Sequence, residues 1–318
     1  IRVSKASIKK EYFWKYYLEW METYKDGAVA DVTYNKYRIT QQWLRKLLPN
    51  VTVAAFNREK YQKMINMYSQ YHEKQTVTDF HHQVKACIRD MQYEGYIERD
   101  PSWKIVIKGK PHHKTHEKFL QVDEYKKLLQ GLDLSHPLDP NWFILLIAKT
   151  GLRFAEALAV TPGDFDFQRR CLTIDKTWDY KNPAGGFKKT KTITSNRTIS
   201  LDWQILGMFK PQIESLPKDE PIFIKKDEAG NYKRVFNATA NARLSVLCKK
   251  LGLPHISVHA LRHTHASVLL ANGVSINAIS ERLGHANVSI TQEVYAHVLD
   301  ELRVKDDQKI MAVMMEVS

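Results

Sequence analysis

The chain has 318 residues, with 48 Lys+Arg against 35 Asp+Glu for a formal net charge of +13, and its pI is about 9.4. That length exceeds one compact domain, so two are expected, and the basic balance is the electrostatic footprint of a polyanion such as nucleic acid. No stretch is long and apolar enough to span a membrane, the longest candidate being Trp142–Ala148. Cys87, Cys171 and Cys248 are too few and too scattered for a disulfide framework or a zinc knuckle.

These features describe a soluble cytoplasmic protein with reduced thiols. The opening IRVSKASIKKEYFWKYY mixes charges into an aromatic run and is no signal peptide. Because the first residue is Ile, the chain is expected to be a fragment or a processed form.

Residues 1–110 carry 20 Lys+Arg and 12 Asp+Glu, so they supply +8 of the +13. Their apolar spacing predicts helices over Tyr12–Tyr24, Thr33–Leu48, Arg58–Tyr71 and Val77–Glu94, separated by turn signals at Asp26-Gly27, Pro49-Asn50 and Gly95. Leu44, Leu47 and Leu48 are expected to face inward. The expectation is a small α-bundle over 1–107. Its Lys, Arg and aromatic interleaving fits a sequence-tolerant DNA grip, and equally a solvated face over core aromatics.

Lys108–Glu117, KGKPHHKTHE, is polar, basic and proline-containing, as an interdomain linker over 108–117 would be. His112, His113 and His116 lack Cys or carboxylate companions at metal spacing, so a solvated linker is the default.

From 118 to 318 the pattern changes. Helices are predicted at Val122–Gln130 and Trp142–Thr150, the latter running into Gly151-Leu152-Arg153-Phe154-Ala155-Glu156. Arg153 and Glu156 lie three apart, so the carboxylate can orient the guanidinium; taken alone, the pair also fits a structural ion pair at a helix start. Asp164 and Asp166 in GDFDF resemble a metal-binding DxD, but the alternating Phe165, Phe167, Leu172 and Ile174 make them turn residues entering a strand.

Three short strands follow at Cys171–Lys176, Phe187–Ile193 and Arg197–Leu201, the middle one carrying the lysine-rich Lys188-Lys189-Thr190-Lys191. Helices are expected over Leu201–Leu216 and Asn237–Gly252, with a hairpin-like loop at Asp227–Asn231 between them.

The stretch Val258–Val298 brings several phosphate-binding groups together. His259 and Arg262 share a helical face. Asn272-Gly273 reads as a helix stop, Ile276–Leu283 as a short helix and Gly284 as its C-cap beside His285. Ser289 with Gln292 reads as a capping box, placing Tyr295 about two turns into the next helix. A phosphodiester repels nucleophiles by its own charge, so cationic donors beside a nucleophile in line with the phosphorus suit its cleavage.

The segments TGLRFAEALAVTPGDFD, HALRHTHAS and LGHANVSITQEVYAHV, in that order, resemble the three signature boxes of the tyrosine recombinase (phage integrase) family, particularly integrases of Gram-positive phages and conjugative transposons. The resemblance covers most of Thr150–Val298 and, more loosely, the N-terminal third. It implies a mainly α fold with a small antiparallel β-sheet: an α-helical core-binding bundle plus an α+β tyrosine recombinase catalytic domain.

It further implies cleavage of a double-stranded DNA recombination site through a 3′-phosphotyrosine, strand exchange and religation. Tyr295 would be the nucleophile, Arg153 and Arg262 the phosphate clamp, and Glu156 the support of Arg153. His259 would assist proton transfer from the tyrosine and His285 donate a hydrogen bond to phosphate. Lys189 would be the general acid, with Lys191 as the alternative because the hairpin alignment is ambiguous. Neither metal nor nucleotide cofactor is implied.

The family's habits also imply a homotetramer on DNA, joined through the C-terminal helix of Leu299–Ser318, with accessory DNA-bending proteins as companions; many of the integrases it resembles carry a small arm-site DNA-binding domain ahead of this point, expected to be absent here. Such a protein works in the bacterial cytoplasm, on the nucleoid when bound to DNA. Ala260 stands where the family frequently has an acidic residue, and Ser200 where proline often ends a strand. His263, His265 and His297 are expected to be helix or support residues.

Two rivals share part of this pattern. A non-catalytic regulator would use Ala266–Val298 as a helix-turn-helix, but it has no use for Arg153 and Lys189. A type IB topoisomerase shares the nucleophile chemistry without exchanging partners. A metal-dependent nuclease is disfavoured because no carboxylate cluster is evident.

Overall fold

A computed structural model describes residues 5–111, 119–190, 193–292, 294–295, 310–311 and 314–315. The chain divides into two compact units, Ile1–Lys114 and Thr115–Ser318.

The first unit holds five helices among the described residues: α1 (Lys5–Lys10), α2 (Phe13–Tyr24), α3 (Asp31–Leu47), α4 (Arg58–Ser69) and α5 (Lys74–Tyr93). α1 was not anticipated because it buries no residue, so no apolar periodicity marks it. α2 shows the opposite case: Phe13, Tyr16, Tyr17, Trp20 and Met21 form an i, i+3, i+4, i+7, i+8 stripe and all are buried. α4 starts at Arg58 because the Asn57 side chain accepts from the Lys60 amide at 3.0 Å.

The core of this unit is aromatic. Phe13 stacks on Phe56 with centroids 4.0 Å apart, and Tyr68 on Phe80 at 4.1 Å. Leu44 and Leu48 are fully inside, Leu47 only partly.

The second unit opens with α6 (Val122–Gln130) and α7 (Pro140–Thr150). α7 starts two residues before the predicted Trp142 because Asp139 caps it and Pro140 occupies its first turn. It is buried almost all round, as its unbroken apolar run requires. Gly151 ends it at φ 71°, and α8 (Phe154–Leu158) begins immediately with Arg153 at its N-cap.

The strand region forms two small antiparallel sheets rather than one. β1 (Phe165–Asp166), β2 (Cys171–Ile174) and β5 (Arg197–Ser200) make the first, in the order β1-β2-β5; β3 (Lys176–Trp178) and β4 (Phe187–Lys189) make the second. The predicted strand Cys171–Lys176 breaks at Asp175, since Ile174 pairs with Arg197 while Lys176 pairs with Lys189. The predicted strand Phe187–Ile193 ends at Lys189, and Ile193–Ser195 is a 3-10 turn.

Asp164 and Asp166 serve as turn residues. The first accepts from the Thr161 amide and pairs with Lys176; the second accepts from the Gln168 and Arg169 amides. Asp227 organises the expected hairpin-like loop, bonding to Asn231.

Four more helices follow: α9 (Trp203–Ile213), α10 (Asn237–Leu251), α11 (Val258–Ala271) and α12 (Ile276–Leu283). α11 packs along α7 and against α12, and its Arg262 and His265 reach the Gly151 and Ala148 carbonyls at the end of α7. A further helical stretch begins at Val288, not Ser289. Its cap is Asn287, whose side chain accepts from the Ser289 amide at 3.0 Å. No helix among the described residues is long and apolar enough to cross a membrane.

Candidate active site

The C-terminus of α12 is the anchor. A helix leaves its last four carbonyls without intrahelical partners, and the helix dipole gathers partial negative charge there. Gly284, at φ 67°, turns the chain so that its own amide and that of His285 bond back to the Glu281 and Ser280 carbonyls.

The next three carbonyls each receive a guanidinium. Arg197 Nε donates to Arg282 O at 2.6 Å, Arg262 Nη2 to Leu283 O at 2.6 Å, and Arg153 Nη2 to Gly284 O at 2.9 Å. Three arginines from β5, α11 and the α8 cap therefore converge on one helix end.

Arg262 is 3% exposed, and its second donor reaches Gly151 O at 2.7 Å. Burial, followed by the nearby Arg153, lowers its pKa to about 9, so it remains cationic at neutral pH. Arg153 stays partly open to solvent while Nη1 binds Glu156 Oε1 at 2.6 Å. The same carboxylate accepts from the Arg153 amide and from Arg197 Nη2, each at 2.9 Å. Burial opposes the charge on Glu156, but the Arg197 hydrogen bond and the two guanidiniums outweigh it and hold the carboxyl down at about 2.

The histidines are neutral around these cations. His259 is pushed below its ordinary value by burial, Arg262 and Arg153. His285 is pushed down to about 4, again by burial first and then by Arg262 and Arg153; its Nδ1 lies 2.7 Å from Thr291 Oγ1. His265, wholly inside, falls to about 3. Its Nδ1 faces the Ala148 carbonyl at 2.9 Å and so carries the proton, leaving Nε2 to accept from Arg282 Nε at 2.9 Å.

Tyr295 closes the group. It is 1% exposed, its hydroxyl lies 3.0 Å from His263 Nδ1, and burial raises its pKa to about 12 against the opposing charge of Arg262.

The structure thus brings Arg153, Glu156, His259, Arg262, His285 and Tyr295 into one neighbourhood. Lys189 is exposed on β4, opposite Lys176. Lys191, His297, most of Leu299–Ser318 and the linker histidines lie outside the described residues. Among the described residues no group of three His, Cys, Asp or Glu side chains could hold a metal ion.

His263, expected to be a helix or support residue, lies against the Tyr295 hydroxyl, one helical turn beyond His259. Two contributors escaped the sequence reading. Arg197 and Arg282 tie β5, α7 and α11 to the end of α12, and only tertiary contacts across 41 and 17 residues reveal them.

The architecture of a helical bundle followed by an α+β unit is shared with solved integrases. The Tn1549 transposon integrase, solved in complex with transposon right end DNA, superposes with a TM-score of 0.75 over 94% of this chain and 99% of its own, at 17% identity. Residues 118–301 match the phage integrase family, and the chain belongs to that family.

Among relatives, a tyrosine recombinase XerC-like protein of Caldanaerobacter subterraneus is 30% identical over 73% of this chain and 65% of its own length. The transposase of transposon Tn916 from Enterococcus faecalis is 26% identical over 73% of the chain and 61% of its own. A Staphylococcus phage L54a integrase is matched over 49% of its length. The chain therefore spans about half to two thirds of these curated relatives.

Proposed function

We propose that the chain is the cleaving and rejoining part of a site-specific DNA recombinase that integrates or excises a mobile element. The observation that carries this is the seating of Arg153 and Arg262 on adjacent carbonyls at one helix end, beside the buried hydroxyl of Tyr295. Family membership, and the transposon DNA in the Tn1549 integrase complex, support the same reading.

In the reaction, Arg153 and Arg262 hold the non-bridging oxygens and stabilise the charge of the pentacoordinate transition state. Tyr295 Oη attacks phosphorus, forming a 3′-phosphotyrosine and expelling the 5′ oxygen. His259 is neutral at pH 7 and able to accept the phenolic proton, while His263 holds the hydroxyl at rest. His285, also neutral, donates N–H to the phosphate. A hairpin lysine, Lys189 or Lys191, protonates the 5′ oxygen. No metal is needed, and the tyrosyl ester conserves the phosphodiester energy for rejoining.

Double-stranded DNA is the partner, with the basic bundle gripping its backbone. The exposed Ile310, Met311, Met314 and Met315 suit docking on another copy of the chain within a tetramer. A helix-turn-helix regulator, by contrast, gives no role to an arginine buried on the Leu283 carbonyl.

The test is covalent capture. Nicked duplexes with a randomised central sequence are incubated with the protein, and protein-linked DNA is recovered under denaturing conditions and sequenced. Wild type is expected to yield an adduct on a defined site. Tyr295→Phe is expected to lose it entirely while keeping DNA binding; an adduct that survives the substitution would rule Tyr295 out as nucleophile. Exchange of strands between two duplexes then separates a recombinase from a topoisomerase.

A further inference from the structure

We propose that Arg197 is a positioning residue for the phosphate-binding arginines, a role that rests on the recombinase reading above. Each of its three nitrogens donates to the protein. Nε donates to Arg282 O at 2.6 Å, Nη1 to Ser195 O at 2.9 Å and to Glu156 Oε1 at 3.3 Å, and Nη2 to Glu156 Oε2 at 2.9 Å. Its side chain is 7% exposed and that of Glu156 1%, so this guanidinium is not available to a ligand.

Its effect is transmitted along two routes that meet at Arg153. Through Glu156, Arg197 fixes the carboxylate that grips both the amide and Nη1 of Arg153. Through the Arg282 carbonyl, it fixes the first of three consecutive acceptors, the others being those that hold Arg262 and Arg153. A guanidinium is a rigid planar fork, so one side chain sets the distance between the two surfaces that hold Arg153. Lysine, a single point charge, would keep the attraction to Glu156 but lose the simultaneous grip on the Arg282 and Ser195 carbonyls.

Arg197 also opens β5, directly after the lysine hairpin, and its neighbour Asn196 accepts from Thr190 Oγ1 at 2.6 Å. A defect in Arg197 acts either on the arginine clamp or on the hairpin acid, and the structure assigns the clamp, because the direct contacts run to Glu156 and the α12 carbonyls.

The experiment compares wild type, Arg197→Lys and Arg197→Gln on the nicked site selected above. The cleaved linkage is either a normal phosphodiester or a methylphosphonate, in which a methyl group replaces one non-bridging oxygen and removes the negative charge. On the phosphodiester, both variants are expected to form adduct on the order of 10²-fold more slowly, the cost of a misplaced binding group. On the neutral methylphosphonate, where there is little charge to neutralise, they are expected to match wild type within about threefold. Activity on the neutral substrate also certifies that the variant is folded.

Equal losses on both substrates, with or without a lowered melting temperature, overturn the positioning role in favour of a purely structural one. Wild-type rates on the phosphodiester overturn it as well. A loss on both substrates that a 5′-phosphorothiolate, which leaves without a proton, restores would place the defect in the hairpin acid instead. If wild type itself forms no adduct, the recombinase reading fails and this proposal with it, an outcome distinct from the others.

Discussion

Two groups of cations, one in each unit, are held in opposite ways. In the bundle, cations lie over aromatic rings near the surface: Lys25 is 4.6 Å from the Trp20 centroid, Lys46 4.7 Å from Trp43 and Arg45 5.1 Å from Trp14. In the second unit, Arg197 and Arg262 are buried against carbonyls and a carboxylate. Surface cations are screened by salt and free to shift, which suits contact with a continuous polyanion of any sequence. Buried guanidiniums are fixed in direction, which suits a single phosphorus atom. On the proposed reading, basic side chains act as adhesive in one place and as a template in the other.

The comparison is broken most severely at Glu156. Glu156→Ala strands Arg197 inside the unit without its carboxylate, and breaking a buried pair costs about 3–5 kcal/mol. Urea unfolding followed in the second unit should lose that much stability; a loss below about 1 kcal/mol, the level of a surface pair, would mean that water reaches the site.

A smaller effect is expected from acid. His265 at about 3 and His285 at about 4, together with the depressed His259, are neutral in the fold, and all three would take protons below about 6.5 when unfolded. The unfolded state then binds more protons than the native one, so stability falls as pH drops from about 6.5 toward 4. Glu156 adds a second loss: its carboxyl is depressed to about 2, so its contribution disappears as pH falls from about 4.5, where the unfolded group protonates, through 2.

The bundle has His81, pushed to about 4 by burial, and a milder shift at His72. Hydrogen exchange across the whole chain should therefore show protection in the second unit falling faster than in the bundle between pH 7 and 4.5. Equal slopes would contradict it.

The smallest change is at the surface. Lys46→Gln removes one cation from Trp43 and should cost about 0.5–1 kcal/mol of bundle stability. It should also lower the salt dependence of DNA binding by close to one counterion. An unchanged salt slope would place Lys46 away from the DNA.

What could be read from the sequence was local. Arg153 and Glu156 declared themselves by spacing, α6 and α12 by periodicity and caps, and Gly284 by its position before His285. What could not be read depended on partners far along the chain. Arg197 looked like the start of a strand because nothing near it signals Glu156, and His263 could be read only as a helix or support residue because Tyr295 is 32 positions away. The split into two sheets is likewise a matter of pairing, since the residues on either side of Asp175 have similar strand character. The capping box expected at Ser289 gives way to Asn287 as the cap, because both residues are good caps and the local sequence does not choose between them.

The three carbonyls at the end of α12 have one more implication. Long basic side chains ordinarily sample many rotamers, and arresting them when a substrate arrives weakens binding. Here Arg153 and Arg262 are already immobilised by the backbone of Leu283 and Gly284, and Arg153 keeps one edge open to water. On the proposed reading, the receptor for a phosphate is shaped before any DNA is present, so what remains to be arranged at the moment of cleavage is the tyrosine rather than the charges around it.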